Sequence, residues 1–312
     1  MAESEPLRIG TRSSPLARWQ ANWVAEQLAA HGVETELVFI STQGDQQQVG
    51  PIGQIGTEGV FTKAIQQALL ADEIDLAVHS LKDLPTEVID GLSIAAVPAR
   101  GPSGDVLLCR EASSLHELPD GSVVGTGSLR RQAQLLSHRD DLSVRDIRGN
   151  VDTRIQKLDD GQYDAIVMAE AGIVRLGLED RITEHISRDV MLPAVGQGAL
   201  GIETRDNDQA TRDALAALND AETFACVTAE RSMLRALRGG CLAPVGAFGR
   251  VDGEQLKLAA VVLSADGSRR CDVESTGHVQ NATELGESVA EQLLAQGAAD
   301  LIAQSRADRS RP

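Results

Sequence analysis

Three kinds of residue in this sequence are placed where they could do chemistry: one aspartate, a set of arginines and one cysteine. Asp83 ends the run His79-Ser80-Leu81-Lys82, directly after the apolar, strand-like stretch Ile74–Val78. The end of a strand in an open α/β sheet is where sites are built. Asp83 either presents its carboxylate there or caps the turn before Pro85. Lys82 either steers carboxylates or pairs with the acid. Gly127-Ser128-Leu129-Arg130-Arg131 puts two arginines in the first turn of a helix that Ser128 can cap. Cations oppose the helix dipole at that end, so the pair marks a bound anion or is simply solvated. Thr11-Arg12-Ser13-Ser14 places hydroxyls and a guanidinium at another helix start, where backbone N–H groups receive anions. Arg148, Arg154 and Arg175 follow at turns. Arginine grips a carboxylate with two parallel N–H bonds, as lysine cannot, so a ligand with several carboxylates is the natural counterpart of the set.

The sequence has four cysteines, and no two have C-x-x-C spacing, which suggests neither a zinc nor a thioredoxin-like site. Cys109, Cys226 and Cys271 lie in strand-like or helix-like surroundings and read as small, buried free thiols. Cys241 sits in Gly239-Gly240-Cys241-Leu242-Ala243-Pro244, where paired glycines free the backbone rather than pack a core. An accessible thiol near arginines would be a nucleophile; a packed one would be inert.

The elements that must position these groups fall into three sets. Leu7–Gly10 reads as a strand, Ser14-Pro15 as the start of a helix carrying Leu16, Trp19, Trp23, Val24 and Leu28, and Gly32 as its end. Strand Leu37–Ser41, a helix from about Thr62 to Ala71 and strands Ile74–Val78 and Ser93–Val97 follow. Pro98–Gly104 is loop or hinge chemistry. The pattern then restarts with strand Val123–Gly125, helix Leu129–Ser137, strand Val144–Ile147, a short helix opening at Thr153 and strand Ala165–Ala169. Ile9-Gly-Thr-Arg-Ser-Ser-Pro-Leu and Val124-Gly-Thr-Gly-Ser-Leu echo each other, so two similar α/β lobes are expected, with Leu192–Gly201 crossing back to the first. A helix Ala221–Leu237, strands near Val245–Val251, Leu256–Leu263 and Arg269–Thr276 joined at Asp252-Gly253 and Asp266-Gly267, and a last helix from about Ala282 to Ala303 make a smaller α+β domain with a three-stranded antiparallel sheet. The expected domains are 1–98 with 200–217, 99–199 and 218–312, with a frayed tail after Ser305.

Bulk properties narrow the function. At 312 residues, with 42% apolar, the chain exceeds one core. A net charge of −17 opposes nucleic-acid phosphates. It also makes the surface self-repelling, which fits a salt-loving host or mere drift toward acidic composition. No apolar run is long enough to span a membrane. The acidic start Met1-Ala2-Glu3-Ser4-Glu5 has no secretory pattern, so a cytoplasmic protein is expected.

Taken together, the motifs resemble those of the hydroxymethylbilane synthase (porphobilinogen deaminase) family along nearly the whole chain. The segments are Arg8-Ile-Gly-Thr-Arg-Ser-Ser-Pro-Leu-Ala, Asp75-Leu-Ala-Val-His-Ser-Leu-Lys-Asp-Leu-Pro, Val124-Gly-Thr-Gly-Ser-Leu-Arg-Arg-Gln, Ile147-Arg-Gly-Asn-Val-Asp-Thr-Arg, Ala171-Gly-Ile-Val-Arg-Leu-Gly, Leu192-Pro-Ala-Val-Gly-Gln-Gly-Ala and Gly239-Gly-Cys-Leu-Ala-Pro-Val-Gly. The resemblance implies two lobes like those of periplasmic binding proteins, and a monomer. It implies a dipyrromethane cofactor on Cys241 that primes the joining of four porphobilinogens, each losing ammonia, into hydroxymethylbilane. It implies Asp83 as the catalytic acid, and Lys82, Ser128, Arg130 and Arg131 as cofactor-binding. Arg12, Ser14, Arg148, Arg154 and Arg175 would bind the acetates and propionates of porphobilinogen and the growing pyrrole chain. No metal is implied. Two positions depart from the pattern: Glu58 replaces a loop lysine, with Lys63 still a basic match nearby, and Asp152 lies between two of the arginines. The rival reading is a two-lobed small-anion binding protein without catalysis, which leaves Cys241 and the third domain idle.

Overall fold

The computed structural model describes residues 5–41, 62–239 and 243–309. Cys241 and Glu58, and with them the expected cofactor thiol and the substituted loop position, lie outside the described residues. The chain divides into two compact units, 1–100 with 199–224, and 101–198 with 225–312.

Unit 1 holds β1 (Leu7–Thr11), α1 (Pro15–Ala30), β2 (Thr35–Phe39), α2 (Lys63–Leu70), β3 (Leu76–Ser80) and β4 (Leu92–Ala96). Unit 2 continues with β5 (Asp105–Cys109), β6 (Val123–Gly125), α3 (Leu129–His138), β7 (Ser143–Arg145), α4 (Val151–Asp159), β8 (Ala165–Ala169), α5 (Glu170–Arg175) and β9 (Glu184–Ile186). The chain returns to unit 1 as β10 (Leu200–Arg205) and α6 (Gln209–Leu215). The order of the first sheet is β2-β1-β3-β10-β4 and of the second β7-β6-β8-β5-β9. Each has three parallel strands followed by one antiparallel strand, β10 or β5, that arrives from the other unit's stretch of chain. The expected echo is therefore an architectural repeat, with β1–α1 matching β6–α3.

Both sheets are covered on both faces, which is why their inner strands are nearly continuous apolar runs. Side chains alternate along a strand. Leu76 and Val78 join Ile9, Val24 and Leu28 on one face, while Ala77 joins Ile65 and Leu69 on the other. Leu107 and Val167 face Leu135, while Val106, Leu108 and Ile166 face Ile155 and Ile173.

The rest of unit 2 comprises most of α7 (Ala221–Ala236), β11 (Val245–Asp252), β12 (Gln255–Leu263), β13 (Arg270–His278), α8 (Ala282–Ala295) and α9 (Ala298–Arg309). β11, β12 and β13 form the antiparallel sheet, covered by the apolar faces of α7, α8 and α9. The 265–268 turn presses on α3: a Cβ on Gly267, at φ +73°, would lie 2.4 Å from the Ser137 nitrogen. Only glycine tolerates both that dihedral and that approach.

Several expectations are corrected. The final helix is two helices, because Gly297 at φ +96° breaks it, and α9 runs on to Arg309 instead of fraying after Ser305. Helix α4 opens at Val151 behind Asn150, not at Thr153. Trp19 lies on the outer side of α1, 36% exposed, and Gln20 and Ala21 take the buried face. Cys109 is half-buried, whereas Cys226 and Cys271 are buried as expected. Strands β5 and β9 were not anticipated.

Candidate functional site

In unit 1 the candidate residues gather at the carboxyl ends of the parallel strands. β1 runs out at Thr11, and Ser14 caps α1, its hydroxyl accepting from the Ala17 N–H at 3.4 Å. β3 ends at Ser80, whose hydroxyl accepts from Gln20 Nε2 at 2.7 Å. A single 3-10 turn, Leu81–Asp83, follows. Leu81 anchors that turn: its N–H donates to Ala199 and its side chain is buried over Gly201, where a Cβ would lie 2.7 Å from Leu81 Cδ1. The anchor turns Asp83 outward into a cleft lined by Arg12, Ser14, Gln20, His79 and Ser80. Among the described residues no hydrogen bond or ion pair reaches the Asp83 carboxylate, so it does not cap the turn before Pro85. Lys82, beside it, is half-buried. Below the cleft, His79 Nε2 lies 3.1 Å from Glu203 Oε2, and Gln66 Nε2 donates to Glu203 Oε1 at 3.0 Å, all three being buried.

In unit 2 the two arginines opening α3 are neither solvated nor waiting for an external anion alone. Arg130 and Arg131 are 3% and 6% exposed and share one buried carboxylate, Asp105. Arg130 Nη1 lies 2.7 Å from Asp105 Oδ2, and Arg131 Nε and Nη2 lie 2.9 and 2.8 Å from Asp105 Oδ1. This is the physical reason that cations tolerate the helix start: a protein carboxylate answers them. Burial pushes the Asp105 carboxyl up, but Arg130 and Arg131 outweigh it and hold the group at about 2. Burial, against the pull of Asp105, lowers Arg131. Two cations against one anion leave one positive charge, and among the described residues no partner reaches the buried Arg130 Nε. Ser128 stands at the N-cap position, yet its hydroxyl makes no cap bond, contrary to expectation.

The remaining arginines are spread over turns. Arg148 is exposed, 2.8 Å from Asp146, and Arg154 Nε donates to the Gly149 carbonyl at 2.8 Å. Arg154 is close enough to Arg131 for its charge to lower that group. Arg175 donates to the Gly198 carbonyl at 2.8 Å, and burial brings it down to about 10. Asp152 is exposed in the first turn of α4, where a carboxylate suits the dipole. Reading the sequence missed Asp105, Gln197, Glu203 and Gln20. The first had a signal: an acid heading the apolar run Val106-Leu107-Leu108 is a buried charge that needs a cation.

Sequence comparison connects this geometry to known proteins. The porphobilinogen deaminase dipyrromethane-cofactor-binding domain matches residues 7–213, and the porphobilinogen deaminase C-terminal domain matches 224–295. The chain belongs to the porphobilinogen deaminase family. A porphobilinogen deaminase of Chlorobium chlorochromatii (strain CaD3) is 48% identical over 306 residues, 96% of this chain and 98% of the relative. As a porphobilinogen deaminase the chain is a transferase of tetrapyrrole biosynthesis that uses a dipyrromethane cofactor. The unpartnered Arg130 Nε and the excess positive charge beside it fit a carboxylate-bearing group of that kind. Among solved structures, a putative methionine-binding lipoprotein of Bacillus subtilis covers 69% of this chain and 90% of its own at 14% identity and a TM-score of 0.43. A putative periplasmic sulfonate-binding protein of Methylobacillus flagellatus gives 16% and 0.35, over 75% of this chain and 68% of its own. Likeness at that level says nothing of function.

Proposed function

We propose that Asp83 is the group through which this porphobilinogen deaminase does its chemistry, and that basic residues of both units hold the carboxylates. The enzyme polymerises four porphobilinogen molecules head to tail, releasing ammonia, to give hydroxymethylbilane. The observation that carries the assignment is a carboxylate at a strand end that no hydrogen bond or ion pair reaches among the described residues, in a cleft that also presents Arg12. Ammonia loss leaves a cationic carbon on porphobilinogen, and positive charge then spreads to pyrrole nitrogen. A fixed carboxylate stabilises that charge and can pass a proton to the leaving amine. Arg12, Arg148, Arg154 and Arg175, with Ser14, bind the acetate and propionate groups of the substrate and the lengthening chain. Ser128, Arg130 and Arg131, with Lys82, hold the carboxylates of the dipyrromethane. When bound, that group supplies the pyrrole carbon from which the chain grows; Cys241 is its point of attachment.

Three domains, 1–98 with 200–217, 99–199 and 218–312, complete this reading. No helix among the described residues is long and apolar enough to cross a membrane; a cytoplasmic monomer without nucleic-acid partners is the assignment we favour. Intact-mass measurement of freshly purified protein tests it. A two-pyrrole increment, mapped to the peptide containing Cys241, is expected. Active protein with an unmodified Cys241 would overturn the attachment, and a protein that binds porphobilinogen without releasing ammonia would favour the binding-protein alternative.

A further inference from the structure

The cofactor arginines of unit 2 are held by a residue that contacts more than the arginines. Asp105 is 1% exposed, and each of its oxygens faces a guanidinium. Gln197 Nε2 donates to Asp105 Oδ1 at 3.1 Å and to the carbonyls of Ser103 and Gly104, both at 2.9 Å. Arg130 Nη1 also donates to the Leu192 carbonyl at 2.7 Å. One carboxylate therefore binds the start of α3 to two stretches of chain, 103–105 and 192–197. Those stretches are close-packed, since a Cβ on Gly198 would lie 2.7 Å from the carbonyls of Gly101 and Pro102.

We propose that Asp105 is the positioning residue of the cofactor site: it fixes the Arg130 and Arg131 guanidiniums in one orientation and sets their combined charge at plus one. The proposal rests on the cofactor-binding role given above to those two arginines. Unopposed, two buried guanidiniums would repel each other and seek other acceptors. With one shared carboxylate both forks are locked, and a residual charge of plus one is left to attract an incoming carboxylate. A site locked before its ligand arrives loses less freedom on binding. Asp105 touches none of the reacting atoms in this account; it acts through the arginines.

The test is the intact mass of Asp105→Glu and Asp105→Asn, with cofactor occupancy expressed per folded molecule, beside the wild type. Asp105→Glu keeps the charge and moves it by one methylene. It is expected to fold, with a far-UV spectrum like the wild type, and to carry the two-pyrrole increment in under a tenth of its molecules. Cofactor-free Asp105→Glu protein, incubated with porphobilinogen, should acquire the increment at least 10-fold more slowly than cofactor-free wild type. A wild type that lacks the increment would sink the cofactor reading itself. A loaded wild type together with a fully loaded Asp105→Glu would overturn the positioning role alone. Failure of Asp105→Glu to fold would also overturn it, making the carboxylate a folding element. Asp105→Asn with Arg131→Gln restores the net charge without the lock; full occupancy there would show that charge alone suffices.

Discussion

The two five-stranded sheets follow one plan and answer their buried acids differently. In each, a buried acid stands on the antiparallel fourth strand: Glu203 on β10 and Asp105 on β5. Glu203 is answered by one histidine and one amide. Asp105 is answered by two arginines. The strand ends above them differ accordingly. Among the described residues, unit 1 presents the Asp83 carboxylate without a hydrogen bond or ion pair, in a cleft with Arg12, and unit 2 keeps an excess of positive charge at Arg130 and Arg131. The repeat supplies the same loop positions twice, and the side chains on them differ; under the proposed function Asp83 in one lobe stabilises cations and the Arg130–Arg131 pair in the other binds carboxylates.

The largest effects should come from removing the positive excess. Arg130→Leu and Arg131→Leu are each expected to leave the purified protein without cofactor, or to stop it before the first addition. Arg175→Leu, which lies outside the Asp105 cluster, should load and then accumulate a ladder of partly extended adducts. Native mass spectrometry distinguishes these outcomes, and normal turnover in all three would reduce the arginines to structural charges.

Next come the two buried acids. Asp105→Asn abandons two buried cations and should cost about 3–5 kcal/mol, the range for breaking a buried pair. Glu203→Gln abandons only a histidine, which can be neutral, and should cost about 1–3 kcal/mol. Denaturant midpoints measure both, and equal losses would dissolve the contrast between the lobes.

How much of this was legible beforehand follows from the same contrast. The motif Leu81-Lys82-Asp83 could be placed because a strand end, a turn and a polar cluster are all local. The partners of Asp105 and Glu203 could not, because the two acids lie on strands of only five and six residues and their pairings span 25 and 124 positions in sequence. β5 was hidden by the loop chemistry of Pro98–Gly104 immediately before it. The break in the last helix was hidden because a lone glycine, Gly297, is tolerated in many helices. The lobes were legible from their repeat, whereas helix starts such as Val151 shifted by a residue or two.

A smaller effect appears with pH. Asp105 is held at about 2 when folded, below its usual 3.8, so its stabilising contribution is complete above pH 4 and drains away as pH falls toward 2. Stability of the wild type should therefore drop more steeply between pH 4 and 2 than that of Asp105→Asn. Asp75, also held at about 2 by Arg8 and Arg205 despite burial, stays in both proteins and cancels. Parallel pH profiles would contradict the assignment. Smallest is the salt response. With a net charge of −17, melting temperature should climb as potassium chloride approaches molar concentrations, as expected for a salt-loving host. The buried clusters are screened little, so the gap between Asp105→Asn and Glu203→Gln should survive high salt. A flat melting curve across salt would remove the case for such a host.

The central claim is that Asp83 acts on the substrate and not on the fold. Asp83→Asn keeps the shape and removes the charge. Porphobilinogen turnover per folded molecule and melting temperature, measured together on that variant, decide the matter. Turnover is expected to fall by about 100-fold or more, the scale of one preorganised electrostatic group, with stability changed by less than about 0.5 kcal/mol, as for an exposed side chain without partners. Preserved turnover with a lowered melting temperature would contradict the account and return Asp83 to the role of a turn residue.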